Sequence, residues 1–176
     1  MVGILLAPTP ALREPFLEAL AEYQSEGLGY YGRLDSFSLA DPHAFSAYVR
    51  ALLLESVPVA PRPGQVPQTT LWWVEGRRLV GRLSIRHELN EWLFTTGGHI
   101  GYDVRPSERR RGHATAMLAA ARPFAHALGI DPALVTCDHD NVASRKVIEA
   151  NGGVAAEPTS TKLRYWVSTG PARIRA

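Results

Sequence analysis

The sequence VRPSERRRGHAT, from Val104 to Thr115, joins a predicted strand to a predicted helix. A glycine at the mouth of a helix, here Gly112, lets a ligand approach the backbone, and the first N–H groups of a helix have no partners within it. The helix dipole adds about half a positive charge at that end. The three arginines from Arg109 to Arg111 add further charge, so this stretch predicts a binding site for a doubly charged anion such as a pyrophosphate.

The motif is not that of a P-loop, because the sequence contains no GxxxxGK[ST]. The pattern present is [QR]-x-x-G-x-[GA], with Arg109, Gly112 and Ala114 at its defining positions. An arginine-rich helix start is also typical of a solvated surface. The pattern alone therefore does not decide between a ligand site and a surface.

Predicted strands lie on both sides of this motif. Alternating apolar residues indicate strands, and apolar residues three and four apart indicate helices. Upstream, a short strand at 2–7 precedes two amphipathic helices, one from Leu12 to Tyr23 and one that begins with Asp41 as N-cap. The proline-rich segment 58–67 is predicted as a loop, and Pro123 is predicted to kink or break the helix after the motif. The other predicted elements are a hairpin at 69–86, strands at 99–104, 133–137 and 162–167, and a helix at 141–150.

Composition and charge exclude several classes of protein. The chain has 176 residues, 45% of them hydrophobic and 20% charged, which is too apolar for a disordered chain. No stretch without a formal charge is longer than 12 residues, and the start at Met1 lacks the features of a signal peptide. We therefore expect a cytoplasmic protein with no membrane partner. The single cysteine, Cys137, excludes an internal disulfide and a cysteine-based zinc site.

The motif resembles the acetyl-CoA-binding motif of the GNAT superfamily of N-acetyltransferases, and the resemblance covers about residues 69–167. Residues Asn141 to Ser144 match the N-x-x-[AS] helix start of that family. The phrases RHELN, GHIGY, VRPSE and TCD are similar to those of a bacterial branch of predicted acetyltransferases. The resemblance implies an α+β fold of the GNAT type, in which a mixed, mostly antiparallel central sheet with a splayed pair of strands is flanked by helices.

The resemblance also implies a single GNAT acetyltransferase domain over residues 1–176. Residues 1–68 would hold the N-terminal strand, two helices and the proline-rich loop, residues 69–168 the cofactor-binding core, and residues 169–176 a tail. In this family the strand before the motif carries a β-bulge and pairs its backbone with pantetheine. That strand corresponds to residues 101–104 here, and the strand that splays away from it corresponds to residues 134–137.

Acetyl-CoA is the co-substrate that the resemblance implies, and no metal is expected. Backbone N–H groups from about Arg110 to Thr115 would bind the pyrophosphate, a backbone N–H near Tyr102 or Val104 would polarise the thioester carbonyl, and Lys146 would meet the 3′-phosphate. The full set of predicted cofactor-binding residues is Tyr102, Asp103, Val104, Arg109, Arg110, Arg111, Gly112, His113, Ala114, Thr115, Asn141, Ser144 and Lys146.

The implied reaction is direct attack by a primary amine on the thioester while both substrates are bound. An alkyl amine with a pKa of about 10.4 is almost fully protonated at pH 7, so a general base is needed. The predicted catalytic residues are Glu88, at the end of the hairpin, and His99, at the start of the next strand. Many relatives have a tyrosine general acid where this chain has Ile148, so no general acid is assigned; Tyr102 and Cys137 are the substitutes considered.

Other functions stay open at this point. A catalytically inert acyl-CoA sensor would keep the cofactor site, and a nucleic-acid-binding module would use the arginines between Arg105 and Arg122. We expect no nucleic-acid partner, because acidic residues almost balance the basic ones. A homodimer is compatible with the sequence, and the amine acceptor is not identified by any motif.

Several other side chains are expected to have structural roles. Cys137 is predicted to be a core residue, and the run from Asp138 to Asp140 is predicted to form a turn and cap rather than a metal site. One of Trp72 and Trp73 is expected in the core and the other in a groove. The arginines at 77, 78, 82 and 86 are expected on a solvated strand face.

Overall fold

The computed structural model describes residues 3–27, 31–57 and 64–171. Within these ranges the strands are β1 (Ile4–Leu6), β2 (Gln68–Glu75), β3 (Arg78–Arg86), β4 (Ile100–Val104), β5 (Ala133–Asp138), β6 (Val154–Ala156) and β7 (Lys162–Val167). The α-helices are α1 (Arg13–Ser25), α2 (Ser36–Leu39), α3 (Pro42–Leu54), α4 (His113–Ala127) and α5 (Val142–Ala150). A short π-helix over Leu93–Gly97 precedes β4.

The strands form two antiparallel sheets. The first has the order β1-β2-β3-β4 and the second has the order β5-β7-β6. Strand β4 is therefore an edge of the first sheet, and β5 is an edge of the second.

The two edges meet at one end. The backbone N–H of His99 donates to the carbonyl oxygen of Leu134 at 2.7 Å, and the N–H of Leu134 donates to Nδ1 of His99 at 2.9 Å. Beyond this junction β4 and β5 belong to separate sheets. This is the splayed pair of strands that the resemblance implies.

Each face of the first sheet packs against helices and buries a separate core. On one face Leu83 and Ile85 pack with Met117 of α4 and Ile148 of α5. On the other face Trp72 packs with residues of α1 and α3, and the rings of Phe16 and Trp72 have centroids 5.4 Å apart. Burial of such large apolar side chains supplies most of the stability of a domain of this size.

The predicted α+β architecture is confirmed. The hairpin, the strand before the motif and the helix that begins after Asp41 all form, and the Asp41 carboxylate accepts hydrogen bonds from His43 N (2.9 Å) and Ala44 N (2.8 Å). The structure adds the short helix α2. Parts of the predicted strand at 2–7, loop at 58–67 and tail at 169–176 lie outside the described residues.

Four local predictions are wrong at least in part. Helix α4 continues through Pro123, so the helix has no break there. The register between β3 and β4 is regular from Ile100 to Val104, and the irregularity lies instead between Trp73 and Val74 in β2. Trp72 and Trp73 are both buried.

The fourth prediction, of a solvated face carrying four arginines, is wrong only in part, because Arg77 and Arg78 are exposed as predicted. Arg86 is not on a solvated face, because Nη1 of Arg86 donates to the carbonyl oxygens of Gly97 (2.9 Å) and Gly98 (3.2 Å). The half-buried Arg86 has a lowered pKa, first because of its partial burial and then because of Arg82 nearby. These contacts fix the end of the π-helix to β3.

Candidate active site

A cavity of about 450 Å³ opens between β4, the loop from β4 to α4, and the start of α5. It brings together all of the predicted cofactor-binding residues except Arg111 and Lys146. Three lining residues, Glu108, Ala143 and Val147, were not predicted. The lining residues are Tyr102, Asp103, Val104, Glu108, Arg109, Arg110, Gly112, His113, Ala114, Thr115, Asn141, Ala143, Ser144 and Val147.

The N-terminus of α4 faces this cavity. Gly112 is the N-cap, with φ of 83°, a left-handed conformation that side chains other than glycine rarely adopt. No side chain at this position caps the N–H groups of the helix, and a Cβ placed on Gly112 would meet no atom within 4 Å. The N–H groups of the first helical turn therefore face open space, which is the arrangement that binds anions.

The outer edge of β4 also faces the cavity. Arg86 N donates to His99 O, and Arg105 N donates to Val80 O, both at 2.8 Å. In an antiparallel ladder the hydrogen-bonded residues alternate, so the residues at 101 and 103, which lie between these two bonds, also point their N–H and C=O groups toward β3. Tyr102 and Val104 therefore point theirs away from β3, toward the cavity.

The arginines of the motif are mostly paired with carboxylates. Arg109 lies 2.8 Å from Glu26, the C-cap of α1, and its Nε donates to the carbonyl oxygen of Val104 at 3.1 Å. Arg111 is paired with Glu108. Within the described part of the chain, Arg110 is the arginine of this trio that forms no ion pair, and its φ is 63°.

Glu108 lies in the loop between β4 and α4, directly before Arg109, and its side chain is buried, with the residue 1% exposed. It pairs with Arg78 of β3 as well as with Arg111, and Nε2 of His113 lies 3.8 Å away. Nδ1 of His113 accepts a hydrogen bond from Nε1 of Trp73 at 3.4 Å. These contacts fix the loop between β4 and α4 to the first sheet.

Tyr102 connects the two walls of the cavity. Its hydroxyl lies 2.8 Å from the hydroxyl of Ser144, whose backbone N–H donates to the side chain of Asn141 at 2.9 Å. Asn141 is thus the N-cap of α5, as its position in the sequence predicts. Burial raises the pKa of Tyr102 to about 12, and the hydrogen bond to Ser144 opposes this rise.

Asp103 lines the cavity and lies among tyrosines of the N-terminal region. The hydroxyl of Tyr31 donates to Oδ1 of Asp103 at 3.1 Å, and the rings of Tyr23 and Tyr31 stack with centroids 4.0 Å apart. Burial raises the pKa of the Asp103 carboxyl, while contacts with Tyr23 and Arg82 oppose the rise.

The two predicted catalytic residues lie outside this cavity. Glu88 is exposed in the loop after β3. Nδ1 of His99 accepts the hydrogen bond from Leu134 N, so Nε2 carries the proton in the neutral ring. Burial lowers the pKa of His99, and the charge of Arg86 lowers it further.

Three further residues of interest lie away from the cavity wall. Lys146 is exposed on α5, while Ile148 is fully buried in the core against α4. Cys137 is 5% exposed in the same core, and burial raises the pKa of its thiol.

The turn after β5 is held by hydrogen bonds within the protein. Asp138 pairs with Lys162, and Nε2 of His139 lies 3.0 Å from the carbonyl oxygen of Thr159.

A family model described as an acetyltransferase (GNAT) domain matches residues 41–154. This range includes the motif, both strands at the splayed junction and the first part of the second sheet. A comparison with curated protein sequences finds no match.

Solved structures with the same fold include three acetyltransferases. The microcin C7 self-immunity acetyltransferase MccE, in complex with acetyl-CoA and AMP, has a TM-score of 0.65 at 12% identity and covers 94% of this chain and 92% of its own. RimJ of Mycobacterium smegmatis, in complex with CoA-disulfide, has a TM-score of 0.65 at 16% identity, covering 93% and 80%. RimL, a ribosomal L7/L12 alpha-N-protein acetyltransferase in complex with coenzyme A, has a TM-score of 0.58 at 14% identity, covering 92% and 90%.

Proposed function

This chain belongs to the acetyltransferase (GNAT) domain family, and from that premise we propose that it transfers an acetyl group from acetyl-CoA to a primary amine. The observation that supports the proposal most directly is that one cavity contains both the N-terminus of α4 and the outer edge of β4. Acetyl-CoA carries a diphosphate and an extended arm with amide groups. A site for it needs an anion-binding element beside a row of backbone donors and acceptors.

The start of α4 fits the diphosphate. The space in front of Gly112 is open, and the N–H groups of His113, Ala114 and Thr115 lack partners within the helix. Arg110 adds a positive charge at the rim. Because Arg109 and Arg111 are paired with carboxylates, we propose that backbone N–H groups and the helix dipole supply most of the attraction.

The outer edge of β4 fits the pantetheine arm. An extended chain can add to a free sheet edge through backbone hydrogen bonds. Bound acetyl-CoA supplies an acyl group activated as a thioester. The N–H of Tyr102 would donate a hydrogen bond to the acyl carbonyl, which is the usual way to stabilise negative charge on that oxygen during acyl transfer.

Tyr102 and Ser144 are the proposed proton source for the leaving thiolate. Both side chains line the cavity, and their hydroxyls are 2.8 Å apart. A phenol with a pKa of about 12 stays protonated at neutral pH and is able to donate its proton. This assignment replaces the phenol that the buried Ile148 does not provide.

A catalytically inert acyl-CoA sensor is the second candidate. The burial of Ile148 in the core favours it, because no phenol projects from that position of α5. The nucleic-acid-binding alternative has less support, because Arg105 and Arg109 are both engaged with glutamates of α1. Phosphate contacts would have to displace those carboxylates.

The test is a thermal shift with acetyl-CoA followed by thiol release with a panel of amines. Acetyl-CoA at 100 times its Kd should add about 2.7 kcal/mol to the free energy of unfolding. Absence of a shift would contradict both the enzyme and the sensor. A shift without thiol release from any amine, including a peptide with a free N-terminus and small polyamines, would favour the sensor.

A further inference from the structure

We infer that Asp103 is the group that takes the proton from the acceptor amine, an inference that rests on the proposed acetyl transfer. Asp103 lines the cavity and directly follows Tyr102, whose N–H points to the same cavity. Side chains alternate along a strand, so Asp103 faces the opposite side of the sheet from Tyr102. That side is covered by α1, whose Tyr23 lies beside Asp103.

The side chains around Asp103 interact with its carboxylate from the α1 side. An ionised carboxylate has about four acceptor sites; Tyr31 occupies one of them, and Tyr23 lies beside another. The Tyr23 hydroxyl is buried beside this cluster and makes no hydrogen bond of normal geometry among the described residues. An N–H donor and a lone pair brought by an amine would satisfy both groups.

The charged groups that face Asp103 come from two neighbouring elements. Arg82 lies opposite it on β3, and Arg109 reaches it from the loop before α4. The two arginines favour the ionised form of Asp103, but burial disfavours it more strongly, so the pKa of this carboxyl lies above its usual value. A carboxylate with a raised pKa is a stronger base than an exposed one, which suits the removal of a proton from an ammonium group.

The other candidate bases are placed less well. Glu108 also lines the cavity, but Arg78 and Arg111 both pair with it. The Nδ1 lone pair of His99 is used by Leu134 N, and Glu88 is exposed outside the cavity wall. Asp103 therefore combines a place in the cavity wall with a carboxylate that no ion pair closer than 4 Å occupies among the described residues.

The proposed step balances as follows. An N–H bond of the ammonium breaks, and its proton passes to a free oxygen of Asp103. The nitrogen lone pair forms the new N–C bond with the acyl carbon, and the C–S bonding pair leaves with sulfur. A second N–H bond breaks as the C–S bond does, and its proton passes to water, which leaves a neutral amide. The thiolate takes the Tyr102 proton through the contact with Ser144, and the phenol regains a proton from water. Asp103 releases its own proton to water.

The experiment compares Asp103→Asn with wild type in thiol-release kinetics from pH 6 to 10 and in acetyl-CoA binding by calorimetry. Glu157→Gln, which neutralises an exposed carboxylate remote from the cavity, is the matched control. We expect Asp103→Asn to lower kcat/KM about 100- to 10,000-fold at pH 7 while the Kd for acetyl-CoA stays within about threefold. The loss should shrink toward pH 10, where more of the amine is already neutral. Glu157→Gln should match wild type.

A second variant keeps the inference testable if Asp103→Asn does not fold. Tyr31→Phe removes a hydrogen bond that favours the ionised form of Asp103. It should move the acidic limb of the pH profile to higher pH, which a purely structural role of Tyr31 would not do.

Three results would overturn the inference. These are an Asp103→Asn activity within threefold of wild type, a loss of acetyl-CoA affinity as large as the loss of rate, and a large rate loss in Glu88→Gln with none in Asp103→Asn. An unchanged acidic limb in Tyr31→Phe would count equally against it. If wild type binds acetyl-CoA but acetylates no amine, the proposed function itself fails, which is a different outcome from an active Asp103→Asn enzyme.

Discussion

The hydroxyl of Tyr102 on β4 lies 2.8 Å from the hydroxyl of Ser144 on α5, which joins the two walls of the cavity through a single hydrogen bond. Tyr102 belongs to the first sheet and Ser144 to a helix, and the two residues are 42 positions apart in the chain. Their contact places an ionisable phenol at the cavity wall. The residue of α5 at which many relatives have a tyrosine is Ile148 here, and its side chain lies in the core.

We expect Tyr102→Phe to lower kcat about 10- to 100-fold, because the leaving thiolate loses its proton donor. Acetyl-CoA affinity should be unchanged, since the backbone N–H and C=O of residue 102 remain. Steady-state thiol release and calorimetric binding measure the two effects. The matched control is Tyr165→Phe, which removes a hydroxyl that lies 3.3 Å from Glu149 and does not line the cavity. Equal losses in both variants would assign the effect to packing.

Gly112→Ala should weaken acetyl-CoA binding at least tenfold, because its Cβ enters the space in front of α4. It should also lower the free energy of unfolding by about 1 kcal/mol or more, since the left-handed conformation is unfavourable with a Cβ. Gly129→Ala is a close control: its φ is 77°, and a Cβ there also meets nothing within 4 Å. We expect the same loss of stability in Gly129→Ala without loss of binding. Denaturant unfolding measures the stability of each variant, and calorimetry measures its binding of acetyl-CoA. Equal affinity in the two variants would contradict the proposed place of the diphosphate at Gly112.

His99→Gln should make folding stability less sensitive to pH. Burial, with help from Arg86, lowers the pKa of His99, so the unfolded chain binds a proton that the folded chain does not. Wild-type stability should therefore fall as the pH drops below about 6.5, and the variant should lose part of that slope. Part of the pH dependence should remain in the variant, because burial also lowers the pKa of His87. Urea unfolding from pH 5 to 8 measures the pH dependence of the free energy of unfolding. An unchanged slope in His99→Gln would show that His99 is not its source.

Glu22→Gln should destabilise the loop between β4 and α4. The Glu22 carboxylate accepts hydrogen bonds from Arg105 Nε (2.8 Å), Ser107 N (3.0 Å) and Ser107 Oγ (3.0 Å). Although burial raises the pKa of Glu22, these bonds from Ser107 and Arg105 outweigh it and lower the pKa. The stabilisation is therefore present above the unfolded pKa of about 4.3 and is lost as pH falls through the lower folded value.

The expected cost of Glu22→Gln is about 1 kcal/mol at pH 7, with the gap to wild type closing below about pH 4. Glu18→Gln is the control, because Glu18 is 65% exposed and 3.6 Å from Arg105. A surface ion pair of that kind contributes little. Denaturant unfolding at pH 7 and at pH 3 distinguishes the two, and a pH-independent gap for Glu22→Gln would contradict the role given to its charge.

The helix starts that line the cavity proposed for the cofactor were predictable because they depend on local sequence. A glycine before an apolar helix and an asparagine before another each act within a few residues, and the helices indeed begin at His113 and Val142. The charges around the motif were not predictable in the same way. Glu26 reaches Arg109 from 83 positions away, and no local pattern indicates that pairing.

The acceptor side depends on contacts that are distant in the chain. Asp103 was grouped with the cofactor-binding residues because it lies in the strand before the motif, and its neighbour Tyr31 is 72 positions away. His99 is a predicted base because it is a histidine at the start of the strand before the motif, whereas its bond to Leu134 spans 35 positions. Period-2 alternation places Asp103 on the face of β4 opposite Tyr102, but it does not indicate that α1 covers that face.

The surfaces that we propose for acetyl-CoA, at Gly112 and along β4, consist of main-chain amides, and every amino acid except proline carries the same amide donor. On this proposal, binding depends on the path of the backbone: no proline at residues 102 or 104, and no side chain at residue 112. A site of this kind tolerates many changes of residue type as long as that path is kept.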